Sequence, residues 1–88
     1  MKKKILVTGG GGFIGGHLAN FYEKKGYKVI CADIKNKKFW FQINPKIKNL
    51  VADCRDPIIT DRLSKNVDYI FNLACNMGGM GFIENNKA

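Results

Sequence analysis

Three features of the sequence predict an α/β fold, the N-terminal half of a doubly wound parallel sheet with spatial strand order 3-2-1-4. The apolar runs are short and continuous rather than alternating, which suits parallel strands covered on both faces. A run of four glycines, Gly9 to Gly12, separates the first apolar run from an amphipathic stretch. The second apolar run closes on an acid, Asp33. Crossovers between such strands are expected to be right-handed, because a twisted strand feeding a right-handed helix packs back onto the sheet only that way.

In chain order, the first strand runs from Lys4 to Thr8. The spacing then predicts a helix from about Phe13 to Lys25, with Ile14, Leu18, Phe21 and Tyr22 forming one apolar stripe. Gly26 ends it, since glycine takes a positive φ at no steric cost. The second strand is Val29 to Ala32, closed by Asp33. Residues 34–46 make a basic connection whose Phe39-Trp40-Phe41 reads as a local hydrophobic anchor rather than a base-stacking platform. Ile47 to Ala52 is the third strand. Asp56-Pro57 opens a short helix, an acidic cap followed by proline at the first helical position. Ile58, Ile59 and Leu63 give that helix its apolar face. The fourth strand is Tyr69 to Ala74, followed by a glycine-rich loop from Asn76 to Gly81, with a further helix expected from Phe82. There is no repeat and no linker, so residues 1–88 read as one partial domain.

Composition narrows the function classes. Hydrophobic content of 45% with 25% charged residues argues for a packed chain over a disordered one. No apolar run approaches the roughly 20 residues of a membrane span, so no membrane partner is expected. Cys31, Cys54 and Cys75 are odd in number and widely spaced, with His17 the one histidine, which fits neither a disulfide framework nor a zinc site. Reduced thiols point to a cytoplasmic location. The net charge of +8 comes from 13 lysines and only 2 arginines, spread along the chain. Base readout and phosphate clamping favour arginine's planar fork, so the charge is read as solvated surface and no nucleic-acid partner is expected.

The glycine run has the context that makes such a motif meaningful, a strand before it and a helix after it. Glycines there permit a tight turn, close approach of backbone to a pyrophosphate, and close packing of helix on strand. The helix start, with Phe13, Ile14 and Gly15, offers free amides and a positive dipole end to phosphates. Four consecutive glycines leave the register open between Gly10, Gly12, Gly15 and Gly9, Gly12, Gly15. Asp33 follows Gly15 by 18 residues, where the ribose of an adenosine is expected. A carboxylate accepts from both ribose hydroxyls and repels a 2′-phosphate, which favours NAD over NADP, although Lys35 beside it softens that repulsion. Asp53, at the end of the third strand, is placed to accept from the adenine amino group; a solvated turn aspartate is the other reading. Asp56 is assigned to capping.

Taken together, Thr8-Gly9-x-x-Gly12-x-Ile14-Gly15, Asp33, Asp53-x-Arg55 and Asn72-Leu73-Ala74 resemble the extended short-chain dehydrogenase/reductases. These are NAD-dependent sugar-nucleotide epimerases and dehydratases built on a Rossmann fold. The resemblance spans nearly the whole chain. Met77-Gly78-Gly79-Met80-Gly81-Phe82-Ile83 narrows it, being similar to a loop of the GDP-mannose 3,5-epimerase branch. The resemblance implies that Gly9, Gly12, Phe13, Ile14, Gly15, Asp33, Lys35, Asp53, Leu73 and Ala74 bind NAD. It further implies that Gly78 and Gly79 meet a sugar-nucleotide substrate, GDP-mannose in that branch, and that the parent enzyme is a homodimer. The sequence departs from the family at Cys75-Asn76, where Ala-Asp is usual, and at Gly16, where serine or alanine is commoner.

In the family's chemistry a sugar carbon is oxidised by NAD, neighbouring C–H bonds acidify, protons are exchanged between faces, and the hydride returns. That chemistry uses a tyrosine with a lysine four residues later. Here Tyr22, Tyr27 and Tyr69 are followed at that spacing by Gly26, Cys31 and Leu73, so no catalytic residue is assigned. The chain is expected to be part of a longer enzyme and to be inactive by itself.

Overall fold

The computed structural model describes residues 3–73 and the backbone of 83–85. Strand β1 is Lys4–Thr8, helix α1 Phe13–Lys24 and strand β2 Lys28–Asp33. After a 3-10 turn at Lys37–Phe39 come β3, Lys48–Val51, α2, Pro57–Leu63, and β4, Tyr69–Asn72. A fifth strand, β5, is Ile83–Asn85.

The sheet order is β3-β2-β1-β4-β5. Its first four strands are parallel and in the expected 3-2-1-4 order, with Val7 opposite both Cys31 and Phe71. Both faces of the central strands are covered, which is why their sequences show no polar alternation. On one face Ile5, Val7, Val29, Cys31 and Phe71 pack with Ala19 of α1 and with Trp40 and Ile47. On the other, Leu6, Ala32, Val67 and Ile70 form a smaller cluster joined by Leu63 of α2.

Helix α1 ends as its sequence dictates. Gly26 has φ +94°, the Gly26 amide donates to the Glu23 carbonyl, and the Tyr27 amide donates to the Tyr22 carbonyl. This paired pattern satisfies two of the carbonyls that a helix end leaves open. The face of α1 that meets the sheet differs from the expected stripe. Gly15, Gly16 and Ala19 are buried, with Leu18 and Tyr22 partly so, while Ile14 and Phe21 are 65% and 51% exposed. Small residues let the helix approach the sheet closely, and a count of large apolar side chains overlooks them. In α2 the expected face is borne by Leu63, which packs against the core, while Ile58 is 67% exposed.

The start of α2 follows the expected chemistry. Asp56 Oδ1 accepts from the Ile58 amide at 2.9 Å, and Pro57 takes the first helical position. Asp56→Ala is expected to cost about 1 kcal/mol, the usual value of such a cap. Thermal unfolding would read it as a small fall in Tm; an unchanged Tm would mean that the cap contributes nothing.

Two further expectations are corrected. The helix foreseen from Phe82 is instead strand β5, antiparallel to β4 with Phe71 opposite Ile83 and Tyr69 opposite Asn85. Strand β4 presents an edge of unpaired backbone groups, and a returning segment satisfies them in the antiparallel sense. The third and fourth strands are also shorter than their apolar runs, ending at Val51 and Asn72.

Candidate functional site

A cavity of about 280 Å³ opens at the carboxyl ends of β1, β2 and β3. Of the residues singled out in the sequence, Gly9, Gly12, Asp33, Lys35, Asp53 and Leu73 line it. Phe13, Ile14 and Gly15 do not line it; they form the first turn of α1, immediately after Gly12. Ala74, Gly78 and Gly79 lie outside the described residues.

Each glycine of the loop answers to a different constraint. Gly9 has φ +78°, a left-handed turn that side chains rarely adopt. A Cβ at Gly15 would fall far inside contact distance of the Gly9 carbonyl oxygen and 3.0 Å from Gly10 Cα, so helix and turn can close only on glycine. At Gly12 a Cβ would meet nothing closer than that oxygen at 3.4 Å, an ordinary contact. Protein packing therefore does not demand glycine at position 12, although Gly12 faces the cavity. At Gly10 a Cβ would lie 2.7 Å from Cys31 Cβ, so Gly9 and Gly10 each have a structural demand for glycine and both spacings stay open.

Helix α1 begins without a side-chain cap, its N-cap being Gly12. The Gly12 amide donates to the Gly9 carbonyl, and the Gly16 amide is the first to find a helical acceptor, the Gly12 carbonyl. The amides of Phe13, Ile14 and Gly15 thus have no acceptor within the helix, the arrangement that receives an anionic group at a helix start.

Asp33 is 7% exposed, and its carboxylate is held at both oxygens. Oδ2 accepts from the Gly11 amide at 3.0 Å, and Oδ1 accepts from the Lys35 amide at 3.0 Å. Each oxygen keeps a further lone pair, and Asp33 lines the cavity. Beneath the loop, burial and the nearby Asp33 charge push the Cys31 thiol up to about 12, so it stays protonated at neutral pH. Cys31 and Cys54 are both free thiols.

Asp53 is engaged by its neighbour. Arg55 donates from Nε and its backbone amide to Oδ1, each at 3.0 Å, and from Nη2 to Oδ2 at 3.1 Å. These hydrogen bonds, with the guanidinium charge, hold the Asp53 carboxyl below the ordinary carboxylate range. A depressed pKa adds stability above the unfolded value that is lost as pH falls. Because the pair is exposed, its contribution is small. Arg55→Ala is expected to move the Asp53 titration to higher pH, followed by carboxyl-carbon NMR. No movement would show that the pair does not persist in solution.

Sequence reasoning gave Arg55 no role of its own in the cavity, although it stands in the Asp53-x-Arg55 motif, while Cys54, expected to pack beside the adenine near Asp53, lines it. Their signal was adjacency to Asp53 at a strand end, where successive residues of a turn can face one hollow. It also missed the link from Thr8 to Asn72, 2.7 Å from Thr8 Oγ1 to Asn72 Oδ1, which ties β1 and β4 beside the cavity mouth.

The connection after Asp33 closes over the loop as an irregular strap. Trp40 is buried while Phe39 and Phe41 are 66% and 58% exposed, so the aromatic triplet contributes a single anchor. Beyond it, Gln42 sits over Gly16, where a Cβ would come 3.0 Å from Gln42 Cγ. Asn20 donates to Gln42 Oε1 at 2.6 Å, and Asn44 donates to Asn20 and to Glu23. Glycine at position 16, unusual by the resemblance, makes room for the strap. Among the described residues no helix is long and apolar enough to cross a membrane, and no group of three potential ligands is placed to hold a metal ion.

Comparison with known proteins matches residues 5–87 to the model of the NAD dependent epimerase/dehydratase family. The chain is 36% identical over 87 residues to GDP-mannose 3,5-epimerase 1 of Oryza sativa subsp. indica, covering 99% of this chain and 23% of that protein. Among solved structures it resembles UDP-glucose 4-epimerase of Thermotoga maritima with UDP-glucose, at TM-score 0.71 and 29% identity, covering 84% of this chain and 25% of that one. It also resembles dTDP-glucose 4,6-dehydratase of Bacillus anthracis in complex with NAD, at TM-score 0.68 and 26% identity, covering 84% and 27%. The chain thus spans about a quarter of the length of these relatives.

Proposed function

The chain belongs to the NAD dependent epimerase/dehydratase family, and from that membership we propose that it is the NAD-binding portion of a sugar-nucleotide epimerase acting on GDP-mannose. The observation that carries the reading is a cavity lined by the buried, oriented Asp33 carboxylate and by Gly12, the N-cap of a helix whose first three amides are open. In this reading the amides of Phe13, Ile14 and Gly15 hold the pyrophosphate, with the positive end of α1 behind them. Asp33 accepts from the adenosine ribose hydroxyls, and its buried charge discriminates against a 2′-phosphate even with Lys35 at the rim. Asp53 accepts from the adenine amino group while Arg55 keeps it ionised.

When bound, NAD supplies the hydride acceptor and donor for transient oxidation of a sugar carbon, at C4 in the 3,5-epimerase reaction. Leu73, which lines the cavity, is assigned to the cofactor together with Ala74, and Gly78 and Gly79 are assigned to the sugar. The acid–base groups belong to the remainder of the parent enzyme, a cytoplasmic homodimer in this reading. The GDP-mannose assignment rests on the likeness to the plant 3,5-epimerase. The likeness to a 4-epimerase and a 4,6-dehydratase supports the second reading, another sugar-nucleotide reaction on the same NAD module.

The test is to incubate the protein that carries this segment with GDP-mannose, UDP-glucose and dTDP-glucose and to follow the products by NMR. Exchange at C3 and C5 of GDP-mannose supports the first reading. Conversion of a UDP or dTDP sugar instead overturns it in favour of the second.

A further inference from the structure

The strap contacts the glycine loop, the turn that carries Asp33 and, through the Phe41 ring, Phe13 and His17 of α1. Gly11 is gripped from three sides. Its amide donates to Asp33 Oδ2, its carbonyl accepts from the Phe41 amide at 2.8 Å, and a Cβ on it would lie 2.8 Å from the Trp40 ring. Trp40 in turn donates from Nε1 to the Lys35 carbonyl at 2.8 Å, and the Lys35 amide donates to Asp33 Oδ1. The chain of contacts is closed: Asp33 to Gly11, Gly11 to the 40–41 segment, Trp40 to Lys35, Lys35 back to Asp33. Both oxygens of the carboxylate are oriented by amides whose own positions depend on Trp40.

A ring this closed does more than fill space. A buried indole unrelated to the cofactor would need only apolar neighbours and any acceptor for its N–H. Here its acceptor is the carbonyl of Lys35, the residue whose amide also orients Asp33, and its ring lies against Gly11 of the loop. Trp40 does not line the cavity. We infer that Trp40 is a positioning residue: with the Phe41 amide it locks Gly11 and the 33–35 turn, and so presents the Asp33 carboxylate to the adenosine ribose in a fixed orientation. Fixing a binding group beforehand removes the cost of ordering it when the ligand arrives. The inference rests on the cofactor reading for its consequence, whereas the positioning itself is measurable without any cofactor.

The measurements follow that division. First, amide hydrogen exchange on the whole protein compares Trp40→Phe, Trp40→Ala, the exposed-neighbour control Phe39→Ala, and Val29→Ala as a core variant remote from the loop. Trp40→Phe keeps a ring over Gly11 but loses the bond to Lys35; Trp40→Ala loses both. Exchange at Gly11 and Lys35 is expected to quicken about tenfold in Trp40→Ala and less in Trp40→Phe, with the core β1 amides unchanged. Unaltered protection at Gly11 and Lys35, or a rise shared equally by all core amides as in Val29→Ala, would overturn the positioning role.

Second, NAD affinity is read by calorimetry on each variant. Losing one neutral hydrogen bond to the turn is expected to raise the NAD Kd about fivefold in Trp40→Phe, and more in Trp40→Ala. Phe39→Ala and Val29→Ala should bind as the parent does at temperatures where all are folded. Exchange altered as expected with an unchanged NAD Kd would overturn the link to the cofactor. A parent protein that binds no NAD at all would sink the cofactor reading and that link together, and the exchange result would then decide the positioning role by itself.

Discussion

Asp33→Ala is expected to weaken NAD binding about a hundredfold. Two hydrogen bonds from ribose hydroxyls to an ionised acceptor contribute about 1.5 kcal/mol each at the low end, and about 1.4 kcal/mol is a factor of ten. The same change removes the acceptor for the Gly11 and Lys35 amides. The bond to Gly11 is buried, and an amide left there without a partner costs about 1–3 kcal/mol. Asp33→Ala should therefore lower stability as well as affinity. The two effects separate by measuring the denaturation midpoint without ligand and Kd well below it. Discrimination against NADP should relax in the variant, because the repulsion of a 2′-phosphate goes with the carboxylate and Lys35 remains at the rim. If Asp33→Ala loses stability yet binds NAD as tightly as before, the carboxylate is a structural brace and not the ribose acceptor.

Gly15→Ala is expected to be strongly damaging. The added Cβ would collide with the Gly9 carbonyl oxygen and approach Gly10 Cα, both backbone atoms that cannot rotate aside. Relief requires α1 to move away from β1, and overpacking of a close-packed interior costs about 1–3 kcal/mol or more. The helix-propensity gain of alanine over glycine, about 1 kcal/mol, is not enough to offset it. Displacing the first turn also displaces the Phe13, Ile14 and Gly15 amides, so NAD affinity should fall with stability. Gly12→Ala supplies the contrast: its Cβ has room within the protein, so stability should hold while a ligand approaching the loop meets the methyl. An unchanged Tm in Gly15→Ala would mean that helix and turn are not packed as described.

Much of this site is legible in the sequence. The strand–glycine–helix order, the acid at the end of β2 and the Asp56-Pro57 helix start each follow from local rules, because backbone conformation and capping depend on a few adjacent residues. Gly26 is a case of this kind, its positive φ demanded by the carbonyls of the turn before it. Continuous apolar strands likewise indicate burial on both faces.

What the sequence leaves open requires distant residues to meet. The glycine run is uniform in one dimension, and its members take distinct roles only when Gly15 is set against Gly9, Gly10 against Cys31 and Gly12 against the cavity. The sheet-facing side of α1 departs from the apolar stripe because close approach selects glycine and alanine, which carry little weight in an apolar pattern. Strand β5 pairs through backbone groups, which every residue has and no residue type announces. The strap is the clearest instance. Phe39, Trp40 and Phe41 are nearly alike in apolar character, yet only Trp40 is buried, because only its position brings an aromatic face over Gly11 while its N–H reaches the Lys35 carbonyl. Local propensity and pattern thus determined the elements and the loop chemistry of this chain. Tertiary packing decided which faces close, which glycine stays open to a ligand and which side chain holds the binding carboxylate in place, since those depend on atoms brought together from far along the chain.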